Sequence, residues 1–145
     1  MSALFNPNEL NVASGHFIDG ELSSGDDPLI DVIRPSDLGV QGQLADGSAS
    51  SVDRAVRSAR NAFENSGWAT MAPRDRARLL GKWASLIDRD ADKIAQLESA
   101  VSCRPYNEVF MRDVRVASGS LRFFSEYADK VDGRVTATPE DTLSL

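Results

Sequence analysis

Residues 106–133, YNEVFMRDVRVASGSLRFFSEYADKVDG, form the stretch around which the rest of the chain is organised. Apolar residues recur there at spacings of three and four, which places six side chains on one helix face: Val114, Ala117, Leu121, Phe124, Ala128 and Val131. Pro105 precedes the stretch and Gly133 ends it, in the order that helix ends favour. Burial of such a face stabilises helices in proteins more than intrinsic propensity does. The pattern therefore predicts one long helix that packs on a partner surface.

Three more amphipathic helices are predicted upstream of this stretch. The first begins near Ser50, because Ser50 and Asp53 match the S-x-x-D capping pattern. The second begins at Pro73, since proline suits the first turn of a helix. Asp90 is a candidate cap for the third, and residues 102–105 break the chain before the long helix. Each of these helices has an apolar face, so each needs a surface on which to pack.

Strands are predicted on both sides of the helices. Residues 16–22 indicate a strand that reverses at an Asp-Gly dipeptide, which is typical of tight hairpin turns. The other strand-like segments are residues 29–33, a weaker one at 40–45, and residues 134–138 and 143–145. These few short strands do not cover four apolar helix faces, so the chain is expected to be part of something larger.

The composition of the 145 residues excludes several classes of protein. Sixteen Lys and Arg residues against 22 Asp and Glu residues give a net charge of −6, so we expect no nucleic-acid partner, which would need a basic surface. No apolar run approaches the roughly 20 residues that span a bilayer, and the N-terminus has no secretory signal. We therefore expect no membrane partner and a cytoplasmic location. One cysteine and one histidine exclude a zinc site built from several such ligands.

One short segment and one single residue are candidates for a functional role. Residues 42–48, GQLADGS, hold two glycines at the spacing of a phosphate loop, but Ser48 stands where the lysine would be. An ordinary turn before a capped helix is the favoured interpretation. Cys103 is a candidate nucleophile beside Arg104, but nothing in the sequence places His16 near it. A structural residue in a turn between helices is the favoured interpretation of Cys103.

Six segments, in order and at the right spacing, resemble the N-terminal part of the NAD(P)-dependent aldehyde dehydrogenase superfamily. They are FIDGEL (17–22), DVIRPSD (31–37), VDRAVRSARNAF (52–63), GWATMAPRDRARLLGKWASLID (67–88), LESAVSCRP (97–105) and RFFSEYADKVDGRV (122–135). Two places depart from the family pattern. Arg-Pro at 34–35 replaces the usual asparagine-proline, and Ser-Cys-Arg-Pro at 102–105 replaces the usual threonine-glycine-lysine-proline.

The resemblance implies an α/β fold with an N-terminal β-hairpin, four helices and edge strands. These form the outer part of the family's cofactor-binding domain, without its Rossmann core. Residues 1–14 would be an extended N-terminal arm, residues 15–133 the part of that domain, and residues 134–145 the truncated start of an oligomerisation strand. The family oxidises an aldehyde to a carboxylic acid with NAD or NADP: a cysteine thiolate adds to the aldehyde and a glutamate activates water. Its members form dimers or tetramers.

The family's catalytic asparagine, glutamate and cysteine, and its glycine-rich cofactor turn, all correspond to positions beyond residue 145. We therefore expect no catalytic and no cofactor-binding residue in this chain. Two interpretations remain open. The chain is an N-terminal fragment of an aldehyde dehydrogenase that is inactive alone, or it is a free-standing, non-catalytic interaction module that binds a full-length relative.

The resemblance implies one binding site within these residues, for a monovalent cation. Family members hold the ion with backbone carbonyls of the second strand and a carboxylate entering the long helix, which correspond to Val32, Ile33 and Asp113. Carbonyls and one carboxylate suit a hard cation of low charge. The alternative is that Asp113 pairs with Arg112 or Arg115, or faces water. If the site is present, the two carbonyl oxygens lie within about 5 Å of an Asp113 carboxylate oxygen.

Overall fold

A computed structural model describes residues 5–23 and 25–142 of the chain. Two β-hairpins precede the helices, and a short 3-10 turn, Pro7–Glu9, precedes both. The strands are β1 His16–Ile18, β2 Glu21–Ser23, β3 Leu29–Ile33 and β4 Val40–Ala45. The helices are α1 Ala49–Asn65, α2 Pro73–Arg89, α3 Ala91–Ser102, α4 Tyr106–Glu108 and α5 Arg115–Tyr127, with a π-helical turn, Val109–Val114, between the last two. The predicted α/β class is confirmed.

The two hairpins form separate two-stranded antiparallel sheets. The first reverses at Asp19 and Gly20, whose φ angles of 56° and 82° are left-handed. Glycine adopts such angles freely and aspartate tolerates them, so the Asp-Gly turn suits a tight hairpin. The second hairpin pairs β3 with β4, which confirms both predicted strands, and a bulge shifts its register between Val32 and Ile33.

The capping contacts of two helices differ from the predicted ones. The cap of α1 is Ser48, whose hydroxyl oxygen accepts a 3.3 Å hydrogen bond from the Ser51 amide. The predicted Ser50 cap is wrong because the short link after β4 brings the chain into the helix two residues earlier. Asp90 lies at the start of α3 but makes no capping hydrogen bond. Its carboxylate accepts from the Arg89 guanidinium at 2.7 Å instead, a charge-assisted contact that is stronger than a neutral cap.

The long helix predicted over residues 106–133 is interrupted and shorter than expected. A π-helical turn separates α4 from α5, and α5 ends at Tyr127 instead of near Gly133. The ammonium group of Lys130 donates to the carbonyl oxygen of Glu126. This contact satisfies one of the carbonyl groups that a helix leaves open at its C-terminal end.

Residues 128–142 contain no strand. The strand predicted at 134–138 is wrong, since Thr136 makes only an isolated bridge. A strand needs a neighbouring strand to pair its backbone groups, and each described sheet is a single hairpin that does not include this segment. The strand predicted at 143–145 lies outside the described residues.

Helix α5 packs against α2 with a different face from the predicted one. Within the predicted apolar face Val114 is buried, but Phe124 and Val131 are 64% and 83% exposed. Ser118 and Ser125 are buried instead. Small side chains let two helix backbones approach closely. The contact with α2 therefore uses the serine face and leaves the bulky face uncovered.

The buried core lies where α3 meets the π-helical turn. Four residues form it, with three partly buried neighbours: Ala91, Ala95, Val109 and Val114, surrounded by Ile87, Tyr106 and Phe110. Large apolar side chains elsewhere are exposed, including Phe17, Phe63, Trp83, Phe123, Phe124 and Tyr127. The described residues thus leave several apolar faces without a covering layer.

Candidate functional site

Asp113, the carboxylate predicted to hold a cation, lies in the π-helical turn and is partly exposed. Its carboxylate accepts a hydrogen bond from the Arg104 guanidinium, and this contact raises the pKa of Arg104. Arg104 also lies 3.7 Å from Glu108. The described ion pair of Asp113 therefore joins it to the break between α3 and α4, not to Arg112 or Arg115.

Val32 and Ile33, the predicted carbonyl ligands, lie at the bulge of the second hairpin. A bulge disrupts the hydrogen-bond ladder and leaves backbone groups less regularly paired. Arg34 follows directly and lines a cavity of about 330 Å³ together with Arg104, the partner of Asp113. The end of β3 and the break before α4 thus border one cavity. Within residues 5–23 and 25–142, no group of three or more His, Cys, Asp or Glu side chains forms a metal cluster.

Cys103 is exposed and ends α3 in the left-handed conformation, with φ of 60°. It lines the same cavity as Arg34 and Arg104. His16 lines other cavities, beside the first hairpin, and its Nε2 lies 3.1 Å from an Asp27 carboxylate oxygen. The cysteine and the histidine therefore do not form a nucleophile–base pair in the described geometry. Cys103 occupies a turn between helices, as the favoured interpretation expects.

The motif-like segment 42–48 is a strand end followed by a helix cap. Its first four residues belong to β4. The Ser48 hydroxyl is engaged by the Ser51 amide and lies 3.0 Å from the Ser50 hydroxyl. The backbone therefore does not form the open loop of amide groups that holds a phosphate.

Arg34 is a buried arginine whose role the sequence did not indicate. It is only 5% exposed and forms a two-point contact with Asp37, at 3.0 Å and 2.9 Å. Its remaining nitrogen donates to Asn8 at 2.8 Å and to Gln41 at 3.3 Å. The network fastens the N-terminal arm to the second hairpin. The one signal in the sequence was the arginine at a position where the resemblance leads one to expect asparagine.

Asp27 is the second polar centre that sequence patterns missed, since acidic residues in a turn-rich link are usually solvated. Its side chain is only 5% exposed. It accepts hydrogen bonds from the Ser51 hydroxyl and from the Ser48 amide, the latter at 3.3 Å, and it contacts His16. Hydrogen bonds from Ser48 and Ser51 lower the pKa of Asp27 to about 2. The carboxylate thus ties the first hairpin to the N-terminal end of α1, where negative charge is favoured.

Comparison with known proteins decides the family. The model of the aldehyde dehydrogenase family matches residues 22–145, most of the chain. The chain belongs to the aldehyde dehydrogenase family. It is similar to the aldehyde dehydrogenase of Alternaria alternata, with 34% identity over 94% of this chain and 27% of that protein. The aldehyde dehydrogenase of Davidiella tassiana is 35% identical over 90% of this chain and 26% of that protein.

Solved aldehyde dehydrogenases share the backbone arrangement. An apo indole-3-acetaldehyde dehydrogenase matches with a TM-score of 0.86 and 29% identity, over 94% of this chain and 32% of that one. The P. syringae indole-3-acetaldehyde dehydrogenase, solved with NAD+, matches with a TM-score of 0.85 and 29% identity, over 94% of this chain and 28% of that one. The chain therefore corresponds to an N-terminal portion of the family and spans about a quarter of its curated relatives' length. None of the helices in the described residues is long and apolar enough to cross a membrane.

Proposed function

We propose that this chain forms the outer, N-terminal part of the cofactor-binding domain of an NAD(P)+-dependent aldehyde dehydrogenase. The observation that carries the proposal is the backbone match to indole-3-acetaldehyde dehydrogenase, with a TM-score of 0.86 over 94% of the chain. The family reaction oxidises an aldehyde to a carboxylic acid. We further propose a cytoplasmic location and assembly of the complete enzyme as a dimer or tetramer.

The residues of this chain contribute structure, not chemistry, to that reaction. The sequence contains no glycine-rich dinucleotide motif, so its residues do not fit the cofactor by themselves. NAD(P)+ would accept a hydride when bound by the complete enzyme. Here the helices and hairpins hold one another through Asp27, Arg34 and Asp88, whose side chains join separate elements. Cys103 serves as the turn that ends α3 and is not the nucleophile.

The 145-residue chain alone is expected to produce no NADH from an aldehyde and NAD+. A chimera is expected to be active, in which this chain replaces the matching segment of the P. syringae indole-3-acetaldehyde dehydrogenase. The chimera would combine the described scaffold with the catalytic groups of the relative. NADH formation is followed at 340 nm with indole-3-acetaldehyde as substrate.

The control for this prediction is Cys103→Ala. We expect it to leave the activity of the chimera within about twofold, since Cys103 lies in a turn. Aldehyde-dependent NADH formation by the chain alone, lost in Cys103→Ala, would refute the structural role. A folded but inactive chimera would refute the proposed function itself.

We also propose that Val32, Ile33 and Asp113 hold a monovalent cation in the complete subunit. The bulge at Val32 and Ile33 and the cavity shared by Arg34 and Arg104 support it, because they bring the end of β3 toward the partner of Asp113. The ion would compete with Arg104 for the carboxylate. Sodium chloride at 100 mM should therefore raise the Tm of the chimera by about 2–4 °C above choline chloride at equal ionic strength. Asp113→Asn should remove that difference, and an unchanged difference in Asp113→Asn would exclude the carboxylate as a ligand.

The second candidate function is a free-standing interaction module that binds a full-length relative. The observation that favours it is the set of exposed aromatic side chains on α5: Phe123, Phe124 and Tyr127. Exposed apolar patches of this kind mark interaction surfaces. A sharp thermal transition from a monomer of the isolated chain would favour the module over the fragment.

A further inference from the structure

One face of α1 carries an apolar surface that the described chain leaves uncovered. We call it the α1 stripe, and it consists of Phe17 of β1 with Val52, Val56, Ala59 and Phe63 of α1. Phe17 and Phe63 are 74% and 76% exposed, and Val56 is 60% exposed. Two hollows of about 250 Å³ and 380 Å³ lie along the stripe, the first beside Phe17 and the second beside Phe63. The helical residues are spaced four, three and four apart, so they share one face.

The packing of α1 does not account for its length. The helix has 17 residues, yet the element that it chiefly contacts is the three-residue strand β1. The Asp27 carboxylate holds its N-terminal end through Ser48 and Ser51. An isolated helix of this length is marginal in water, and burial of its apolar face normally stabilises it. The stripe is therefore built to be covered by another surface.

The accessible surface of the whole chain indicates how much area a partner would cover in total. The chain has 10894 Å² of accessible surface, whereas a compact monomer of 15.7 kDa has about 7,300 Å². The excess of about 3,600 Å² is several times the roughly 800 Å² that each partner buries in a standard interface. A second copy that met the chain through one patch would leave most of this excess exposed. The area favours a larger partner that covers several faces.

The lengths of the relatives indicate which partner is large enough to cover several faces of this chain. The chain spans 28% of the P. syringae enzyme and 27% of the Alternaria alternata enzyme, so most of each relative is polypeptide that this chain does not match. We propose that the α1 stripe docks on that complementary portion of an aldehyde dehydrogenase subunit, and that the chain binds it even as a separate polypeptide. This inference rests on the proposed function and names its partner and surface.

The test co-expresses the chain with a tagged P. syringae indole-3-acetaldehyde dehydrogenase that lacks the matching segment. Val56→Glu places a charge in the stripe, and Asn61→Glu places the same charge on the opposite face of α1. Both side chains are exposed in the chain, so neither change disturbs its core. The unchanged chain and Asn61→Glu should co-purify with the tagged portion in equal amounts. Val56→Glu should be recovered at least about tenfold less, because its charge would be buried without a partner.

Three results would overturn the inference. If neither polypeptide captures the other while the covalent chimera oxidises indole-3-acetaldehyde, docking as a separate chain fails but the proposed function stands. Equal recovery of Val56→Glu and Asn61→Glu would place the contact elsewhere. A dimer of the chain alone that Val56→Glu converts into monomers, with no capture, would make a second copy the occupant. An inactive chimera would instead remove the proposed function on which the inference rests.

Discussion

Val109→Asp is expected to lower the Tm of the chimera by about 8 °C or more. Val109 is 0% exposed and packs with Ala91, Ala95 and Val114 at the centre of the core. A carboxylate at this point would lose its hydration and would gain no cation among those apolar neighbours. We estimate the cost at about 4 kcal/mol or more, which is close to the whole stability of a marginal domain.

Met111→Asp is the matched control for this substitution. Met111 lies in the same π-helical turn but is 65% exposed, so an aspartate there keeps its water. We expect a change in unfolding free energy within about 0.5 kcal/mol. Thermal unfolding followed by far-UV circular dichroism measures both variants. Equal Tm values for Val109→Asp and Met111→Asp would show that Val109 does not lie in the core of the folded protein.

Asp88→Lys is the polar substitution with the largest expected effect, because Asp88 joins α2 to α5. Its carboxylate accepts from the Ser118 hydroxyl at 2.7 Å, from Arg115 at 3.2 Å and from Arg122. A lysine would bring three cations together. It would also leave the buried Ser118 hydroxyl with only the Arg115 carbonyl oxygen, at 3.2 Å, as its acceptor. We expect a loss of the contact between α2 and α5, and a fall of several degrees in the Tm of the chimera that carries Asp88→Lys.

Asp53→Lys tests whether this effect belongs to the helix contact or to any broken ion pair. Asp53 lies 2.6 Å from Arg57, but the two side chains are 61% and 71% exposed. Exposed pairs of this kind contribute little because water already solvates both charges. We expect almost no change in Tm for Asp53→Lys. A fall as large as that of Asp88→Lys would mean that net charge, not the α2–α5 contact, sets the stability.

The same contact makes stability depend on pH. Hydrogen bonds from Ser118 and Arg122 hold the pKa of Asp88 below its ordinary value. A carboxylate with a lowered folded-state pKa stabilises the fold above its unfolded-state pKa of about 3.9. That contribution disappears as the pH falls through the folded-state value. The Tm of Asp88→Asn should therefore fall less steeply than that of the unchanged protein as the pH decreases below about 4, because the asparagine side chain binds no proton.

The elements of secondary structure were largely predictable from local sequence. The Asp-Gly turn at residues 19–20, the strands at 29–33 and 40–45, and the proline start of α2 are all where the sequence predicted them. The exact cap of α1 and the end of α5 were not, since a serine two residues earlier and a lysine side chain compete for the same backbone groups. Backbone groups at helix ends accept several partners, and sequence alone does not rank them.

The polar centres were less predictable than the strands and helices. Asp27 and Arg34 lie in segments with the composition of loops, and each binds residues from distant parts of the chain. Spacing along a sequence indicates neighbours only within one helix or strand. The partner of Asp113 was also unexpected, since Arg104 approaches it across the break between α3 and α4.

The sequence by itself indicated the family, through the resemblance of six segments. It also determined the order of the hairpins and helices and the period of each helix, because hydrogen bonding and sterics within a few residues set those two features. Only the tertiary structure decided which face of α5 is buried. Ser118 and Ser125 pack where Phe124 was expected, because close approach to α2 needs small side chains and Asp88 needs polar partners. An apolar face is buried only where a surface exists to cover it. In this chain the bulky faces of α1 and α5 lie exposed.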